Sequence, residues 1–158
     1  MKTEEKICAF SGHRIIPVAE RPVLCEQLKQ LIRAMYLKKG IRTFMAGGAL
    51  GFDMLAEMMV MNVRNEFPDI RLILAVPCAD QDAKWRERDR LLYREILENV
   101  DRVDVLHERY CNGCMQERNR YMVDRAAVLV AYLTHPSGGT AYTVRYAQSK
   151  GVPVINLR

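Results

Sequence analysis

The chain has 158 residues, with 24 lysines and arginines against 19 acidic residues and a formal net charge of +5. Hydrophobic residues make up 49% and charged residues 27%, a balance that excludes a disordered chain, and the length suits one domain rather than two. No apolar run approaches the roughly 20 residues of a membrane helix, and the opening Met1–Lys6 mixes both signs of charge with no apolar core of the kind a secretory signal needs.

Strand and helix patterns alternate along the chain. Lys6 to Phe10 is a short apolar run closed by Ser11-Gly12. A helical pattern runs from Ala19 to Lys39, with Leu24, Leu28, Leu31, Ile32 and Met35 on one face and Gly40 placed to cap it. Ile41 to Ala46 is a second strand, stopped by Gly47-Gly48. Asp53 to Asn65 is helical, with Leu55, Met58, Met59 and Met61 as its apolar surface; that spacing favours core over interface. Ile70 to Val76 is the strongest strand and ends at Pro77. A charged helix over Ala83–Asn99, a weaker strand over Val100–Leu106, a helix over Met115–Arg125 and an apolar strand over Ala127–Leu133 follow. Gly139–Lys150 is the last helix and Val152–Leu157 the last strand. Alternation of this kind predicts crossover connections and a Rossmann-like three-layer α/β sandwich with a mostly parallel sheet. Strands that are apolar on both faces agree with it. In such sheets ligands bind at the carboxyl ends of the strands, where the strand order reverses.

Three loops at that predicted edge stand out. They are Ser11-Gly12-His13-Arg14, the stretch Gly47-Gly48-Ala49-Leu50-Gly51-Phe52-Asp53, and Pro136-Ser137-Gly138-Gly139-Thr140. Each can set backbone N–H groups at a helix N-terminus, where the dipole favours an anion. Neither glycine loop is a Walker A motif, and the dinucleotide spacing Gly-x-Gly-x-x-Gly is absent. His13 and Arg14 fit a phosphate or base contact and a solvated turn equally well. Asp53 fits a ribose partner and a dipole-stabilised helix residue equally well. Trp85, the single tryptophan, is better placed as core or interface than as a base platform. Arg118 shares a helix face with Tyr121, Met122 and Arg125, and by spacing alone it is solvated.

The five cysteines are scattered and odd in number, which argues against a disulfide framework and for a reduced, cytoplasmic setting. His107-x3-Cys111-x2-Cys114 has zinc-like spacing but lacks a fourth ligand, so no metal site is expected.

Taken in order, Met115-x-x-Arg118-Asn119-x-x-Met122, the following strand and Pro136-Ser137-Gly138-Gly139-Thr140 resemble the core of the SLOG superfamily. That group includes the lysine-decarboxylase-like "lonely guy" enzymes and the Rossmann domain of DNA-processing protein A. Ser11-Gly12-His13-Arg14, the Gly-Gly-Ala-Leu-Gly-Phe-Asp loop, and Pro77 with Gln81 and Trp85 look most like its YpsA-like branch. The resemblance implies one Rossmannoid domain over residues 1–158 and a nucleotide-type ligand such as AMP or ADP-ribose, with no required cofactor. It turns Arg118 and Asn119 into expected ligand contacts and Gly138, Gly139 and Thr140 into an expected phosphate cradle, beside Ser11, Gly12, His13, Arg14, Gly47, Gly48, Gly51 and Asp53. It also makes a homodimer plausible. The hydrolase branch has a glutamate where this chain has Thr143, and threonine cannot act as a carboxylate. The expected function is therefore nucleotide binding in a sensor or regulator rather than catalysis. A nucleoside-monophosphate N-glycosidic hydrolase is the alternative. A nucleic-acid-binding module is the weakest reading, because the basic residues are spread and no recognition helix is evident.

Overall fold

The computed structural model describes residues 5–157. The opening residues 1–4, read above for a signal, lie outside that range. In chain order the elements are β1 (Ile7–Gly12), α1 (Arg21–Lys39), β2 (Thr43–Ala46), α2 (Phe52–Arg64), β3 (Arg71–Val76) and α3 (Glu87–Asn99). They are followed by β4 (Arg102–Val105), α4 (Cys114–Arg125), β5 (Val128–Tyr132), α5 (Gly139–Ser149) and β6 (Val154–Asn156). All five strand pairings are parallel, in the order β4-β3-β2-β1-β5-β6. This is the expected Rossmann-like α/β architecture, with a fully parallel sheet. The chain first moves outward from β1 to β4 and then returns to place β5 on the other side of β1. The switch point therefore lies between β1 and β5.

Side-chain alternation along the strands divides the core in two. Cys8, Phe10, Phe44, Leu72, Leu74 and Val130 face α1, α2 and α3. Ile7, Ala9, Met45, Ile73, Leu129 and Ala131 face α4 and α5, where Met122, Val123, Val144 and Ala147 meet them. Leu24, Leu28, Ile32 and Met35 are the buried stripe of α1, while Leu31 is only partly buried. Gly40, in the left-handed conformation, ends that helix, and the amide of Ile41 returns to the Met35 carbonyl at 3.1 Å.

Several boundaries differ from the sequence expectation, each for a tertiary reason. β1 continues through Ser11 and Gly12 because β5 goes on pairing with it, Ser11 opposite Ala131 and Gly12 opposite Tyr132. The third helix begins at Glu87 rather than Ala83. Residues 78–85 instead form successive tight turns, with Ala83 donating to Asp80 O and Trp85 to Asp82 O. Met58, Met59 and Met61 are not the centre of the buried face of α2. That face is Phe52, Asp53, Met54, Ala56, Glu57, Val60 and Val63, while Met59 and Met61 pack partly buried against the core and Met58 is at the surface. Two acids occupy core positions there, and an apolar-periodicity argument cannot anticipate them.

Phe52 ties the switch point together. Its ring is fully buried, stacks on Tyr132 at 5.9 Å and meets Phe10 edge-on at 6.4 Å. It fills the space left by the missing side chain of Gly12, where a Cβ would come within 2.3 Å of the ring. Phe52→Ala removes the contact joining β1, α2 and β5, and should cost about 3–5 kcal/mol, read as a lowered midpoint in urea unfolding.

Candidate functional site

At the carboxyl edge of β1 and β5 lies a small open cavity of about 220 Å³. Ser11, Gly12, His13 and Arg14 from the end of β1 and its loop line one side of it. Met115, Arg118 and Asn119 from α4, and Gly139 and Thr140 from α5, line the other, while Ala49 and Asp53 close the base. Nine of the thirteen expected site residues thus converge here.

The first amides of α5 form the open part of the wall. Gly138 is its N-cap residue and provides no side-chain cap; the first intrahelical bond is from Tyr142 N to Gly138 O at 3.1 Å. The N–H groups of Gly139, Thr140 and Ala141 precede that bond and have no intrahelical acceptor. Exposed Gly138 and Gly139 leave them open to an anion. Asn119 Nδ2 lies beside them, 3.9 Å from where a Cβ on Gly139 would stand.

The glycine loop after β2 is used differently. Gly48 N donates to Glu57 Oε2 at 3.0 Å, and Ala49 N to Asp53 Oδ2 at 3.3 Å. Gly48 O accepts from Gln81 Nε2 at 3.2 Å. Phe52 N, the first amide of α2, donates to His13 O at 3.1 Å. These amides are spent on the protein's own acceptors. Gly47 and Gly48 therefore support the cavity from beneath, and Gly51 faces a neighbouring cleft.

Arg118 is buried, not solvated as its spacing alone implied, with 5% of its surface exposed. Its Nη1 donates to Gly47 O at 2.6 Å, Nε to Asn119 Oδ1 at 2.8 Å, and Nη2 approaches Met115 Sδ at 3.8 Å. Gly47 has to be glycine for this contact, since a Cβ would lie 2.6 Å from Nη1 and 2.8 Å from Asp53 Oδ2. A guanidinium has five N–H groups, so Arg118, which lines the cavity, keeps donors beyond the three it spends here.

Two acids share this interior. Asp53 is 5% exposed and Glu57 fully buried. Burial pushes the Asp53 carboxyl up to about 6, against the pull of Arg118 and the loop amides. Burial and then the neighbouring Asp53 push Glu57 well above the usual range, which favours its protonated form. Glu57 Oε1 is buried without a hydrogen-bond partner.

His13 joins the two strand ends. Its Nε2 accepts the Thr134 N–H at 2.9 Å, which fixes the neutral ring, and His135 stacks on it at 3.9 Å. Burial and His135 both lower its pKa. His135 was not singled out in the sequence, and its place in the loop after β5 was the only available signal. Arg14 is exposed. Trp85 packs edge-on against Tyr93 at 5.2 Å, beside the core. His107 contacts the Glu117 carboxylate, Cys114 is buried at the start of α4 and Cys111 is exposed. Among the described residues no group of three or more His, Cys, Asp or Glu is placed to hold a metal ion, and no helix is long and apolar enough to cross a membrane.

The YpsA family model, described as the YspA SLOG family, matches residues 18–152. The chain belongs to this SLOG family. The UPF0398 protein BH1768 of Halalkalibacterium halodurans is 30% identical over 117 residues, which is 72% of this chain and 62% of that relative's length. The uncharacterized SPbeta prophage-derived protein YoqJ of Bacillus subtilis is 29% identical over 137 residues, 79% of this chain and 80% of the relative. Among solved structures, DNA processing protein A from Helicobacter pylori, described for its single-stranded DNA binding, superposes with a TM-score of 0.67 at 20% identity. That match covers 96% of this chain and 64% of the other. A molybdenum cofactor binding protein from Rippkaea orientalis gives 0.62 at 18% identity, over 98% of this SLOG chain and 77% of the other. These structural likenesses establish the fold.

Two outcomes test the buried cluster. Arg118→Ala leaves Gly47 O and two buried carboxyl groups uncompensated and should cost about 3–5 kcal/mol in chemical denaturation. Glu57 is protonated when folded and ionised when unfolded, so its raised pKa supports folding fully below about 4.5. That support is lost as pH rises toward the folded pKa, at up to about 1.4 kcal/mol per pH unit. Asp53, with its carboxyl near 6, adds to that fall, and His13, whose pKa is lowered on folding, opposes it through the ordinary histidine range. Against that shared background Glu57→Gln should make stability fall less steeply with pH than in the parent protein, read in urea titrations.

Proposed function

We propose that the crevice between β1 and β5 binds a nucleotide or nucleotide derivative, and that this SLOG protein is a binding or regulatory protein rather than a hydrolase. The observation that carries the reading is the open α5 N-terminus set beside Arg118 and Asn119 in the wall of one cavity. Unpaired amides, a helix dipole and a buried guanidinium together are complementary to a phosphate group. A cavity of about 220 Å³ accommodates a phosphate with part of its sugar, and AMP and ADP-ribose are the ligand chemistries we favour.

Thr143 supports the choice of binding over hydrolysis. It is fully buried, and its Oγ1 donates to Gly139 O at 2.8 Å, so the side chain at the expected glutamate position is tied to its own helix. The five cysteines are free thiols, in keeping with a reducing cytoplasm. One observation favours the hydrolase as a second reading. Asp53 lines the cavity with its carboxyl pushed up to about 6, the range of a general acid or base. The single-stranded DNA binding described for the Helicobacter pylori neighbour provides a further arm for the experiment.

Thermal unfolding with AMP, ADP, ADP-ribose, ribose 5-phosphate and single-stranded DNA, with chromatography of each mixture, tests these readings. A native-state ligand at about 100 times its Kd adds about 2.7 kcal/mol, so a raised melting temperature with intact nucleotide is the expected result. Release of free base, abolished by Asp53→Asn, would establish the hydrolase instead. No shift with any nucleotide would overturn nucleotide binding.

A further inference from the structure

A second, larger cleft of about 740 Å³ adjoins the crevice, and Arg14 belongs to the walls of both. Consecutive residues divide the two spaces. Ala49 faces the crevice while Leu50 and Gly51 face the cleft, and on α2 Asp53 faces the crevice while Met54 faces the cleft. Gly51, at φ 85°, lies so close to the Arg14 carbonyl that a Cβ would come within 2.1 Å, so this dividing ridge has a set conformation.

Four arginines line the cleft, Arg14, Arg21, Arg86 and Arg88, against one carboxylate, Asp89. All four are exposed, and none takes part in an ion pair among the described residues. Arg90, by contrast, is matched by Asp82 at 3.6 Å. Arg86 and Arg88 sit at the N-terminus of α3, where a cation opposes the helix dipole; helix formation does not account for them. The cleft also has an aliphatic wall that includes Leu50, Met54 and Leu92. An apolar wall beside unpaired guanidinium groups fits a nucleobase lying next to a phosphate on its own ribose.

We propose that this cleft is the distal subsite for the crevice's own ligand, and that the ligand is a nucleotide with two separated phosphate groups. The first phosphate takes the α5 amides, the ribose crosses the Arg14 ridge, its base lies on the aliphatic wall, and the second phosphate, on the same ribose, reaches Arg86 and Arg88. The inference rests on the nucleotide reading of the crevice. It adds that charge placement, not only charge number, selects the ligand.

Calorimetric titration with AMP, ADP, adenosine 3′,5′-bisphosphate and the dinucleotide pApA tests it. ADP and the bisphosphate carry the same two phosphates, adjacent in one and separated in the other. The bisphosphate or pApA should bind about tenfold tighter than AMP and ADP, the gain of one charge-assisted contact. Arg86→Ala with Arg88→Ala should abolish that gain and leave AMP affinity unchanged. Both side chains are exposed, so an unaltered melting temperature confirms that the double variant is folded. Equal affinities across the series with AMP bound, or a gain that survives the double variant, would overturn the distal subsite and leave the nucleotide reading standing. Binding of a 20-residue oligothymidylate that the double variant loses, without binding of pApA, would assign the cleft to nucleic acid and overturn it too. No binding of any member, AMP included, would overturn the nucleotide reading itself and this inference with it.

Discussion

The crevice depends on one buried guanidinium. Arg118 reaches from α4 across the edge of the sheet to the carbonyl of Gly47, in a loop 71 residues earlier in the chain. The same side chain braces Asn119 and sits within the field of Asp53 and Glu57. Burial lowers its pKa, and the two acids are the largest opposing influence. A buried cation without such partners would be expelled or would unfold the site. With them, it locks the position of α4 against the loop between β2 and α2.

That arrangement divides labour between two glycine-rich loops that look alike in composition. In the loop after β2, the amides of Gly48 and Ala49 are taken by Glu57 and Asp53 from the following helix. The loop is a braced support for Arg118. In the loop before α5, no side chain caps the helix, and the first amides stay open toward the cavity. A helix N-terminus left uncapped sacrifices the stabilisation a cap would add, of order 1 kcal/mol. The geometry is consistent with a site kept open for an anion.

The two carboxyl groups beneath the site also set its electrostatics. If both were ionised, the cavity floor would repel the phosphate that the rest of the site fits. Burial and mutual repulsion keep Glu57 protonated, which leaves Arg118 opposed by a single carboxylate. Asp53, with its carboxyl near 6, is the group whose charge responds to small changes in surroundings, including the arrival of an anion. His13 stays neutral by accepting the Thr134 amide and stacking on His135, so it joins the strand ends without adding a charge.

Much of this molecule was legible in the sequence. Apolar runs and 3.6-residue periodicity are local properties, and they located every strand and helix to within a few residues. Alternation of the two elements is enough to require a parallel sheet, and the glycine, histidine and arginine loops mark its carboxyl edge. Family motifs added Arg118, Asn119 and Thr140 to the same place. The sequence could not say which glycine backbone groups were free, because the Gly48 amide is satisfied by a glutamate nine residues on and the Gly47 carbonyl by an arginine on another helix. Nor could it show that α2 turns Asp53 and Glu57 inward and Met58 outward, since acids at buried positions break the periodicity used to find a core face. Those outcomes are decided by close approach between residues distant in the chain, in a sheet register that only the folded structure establishes.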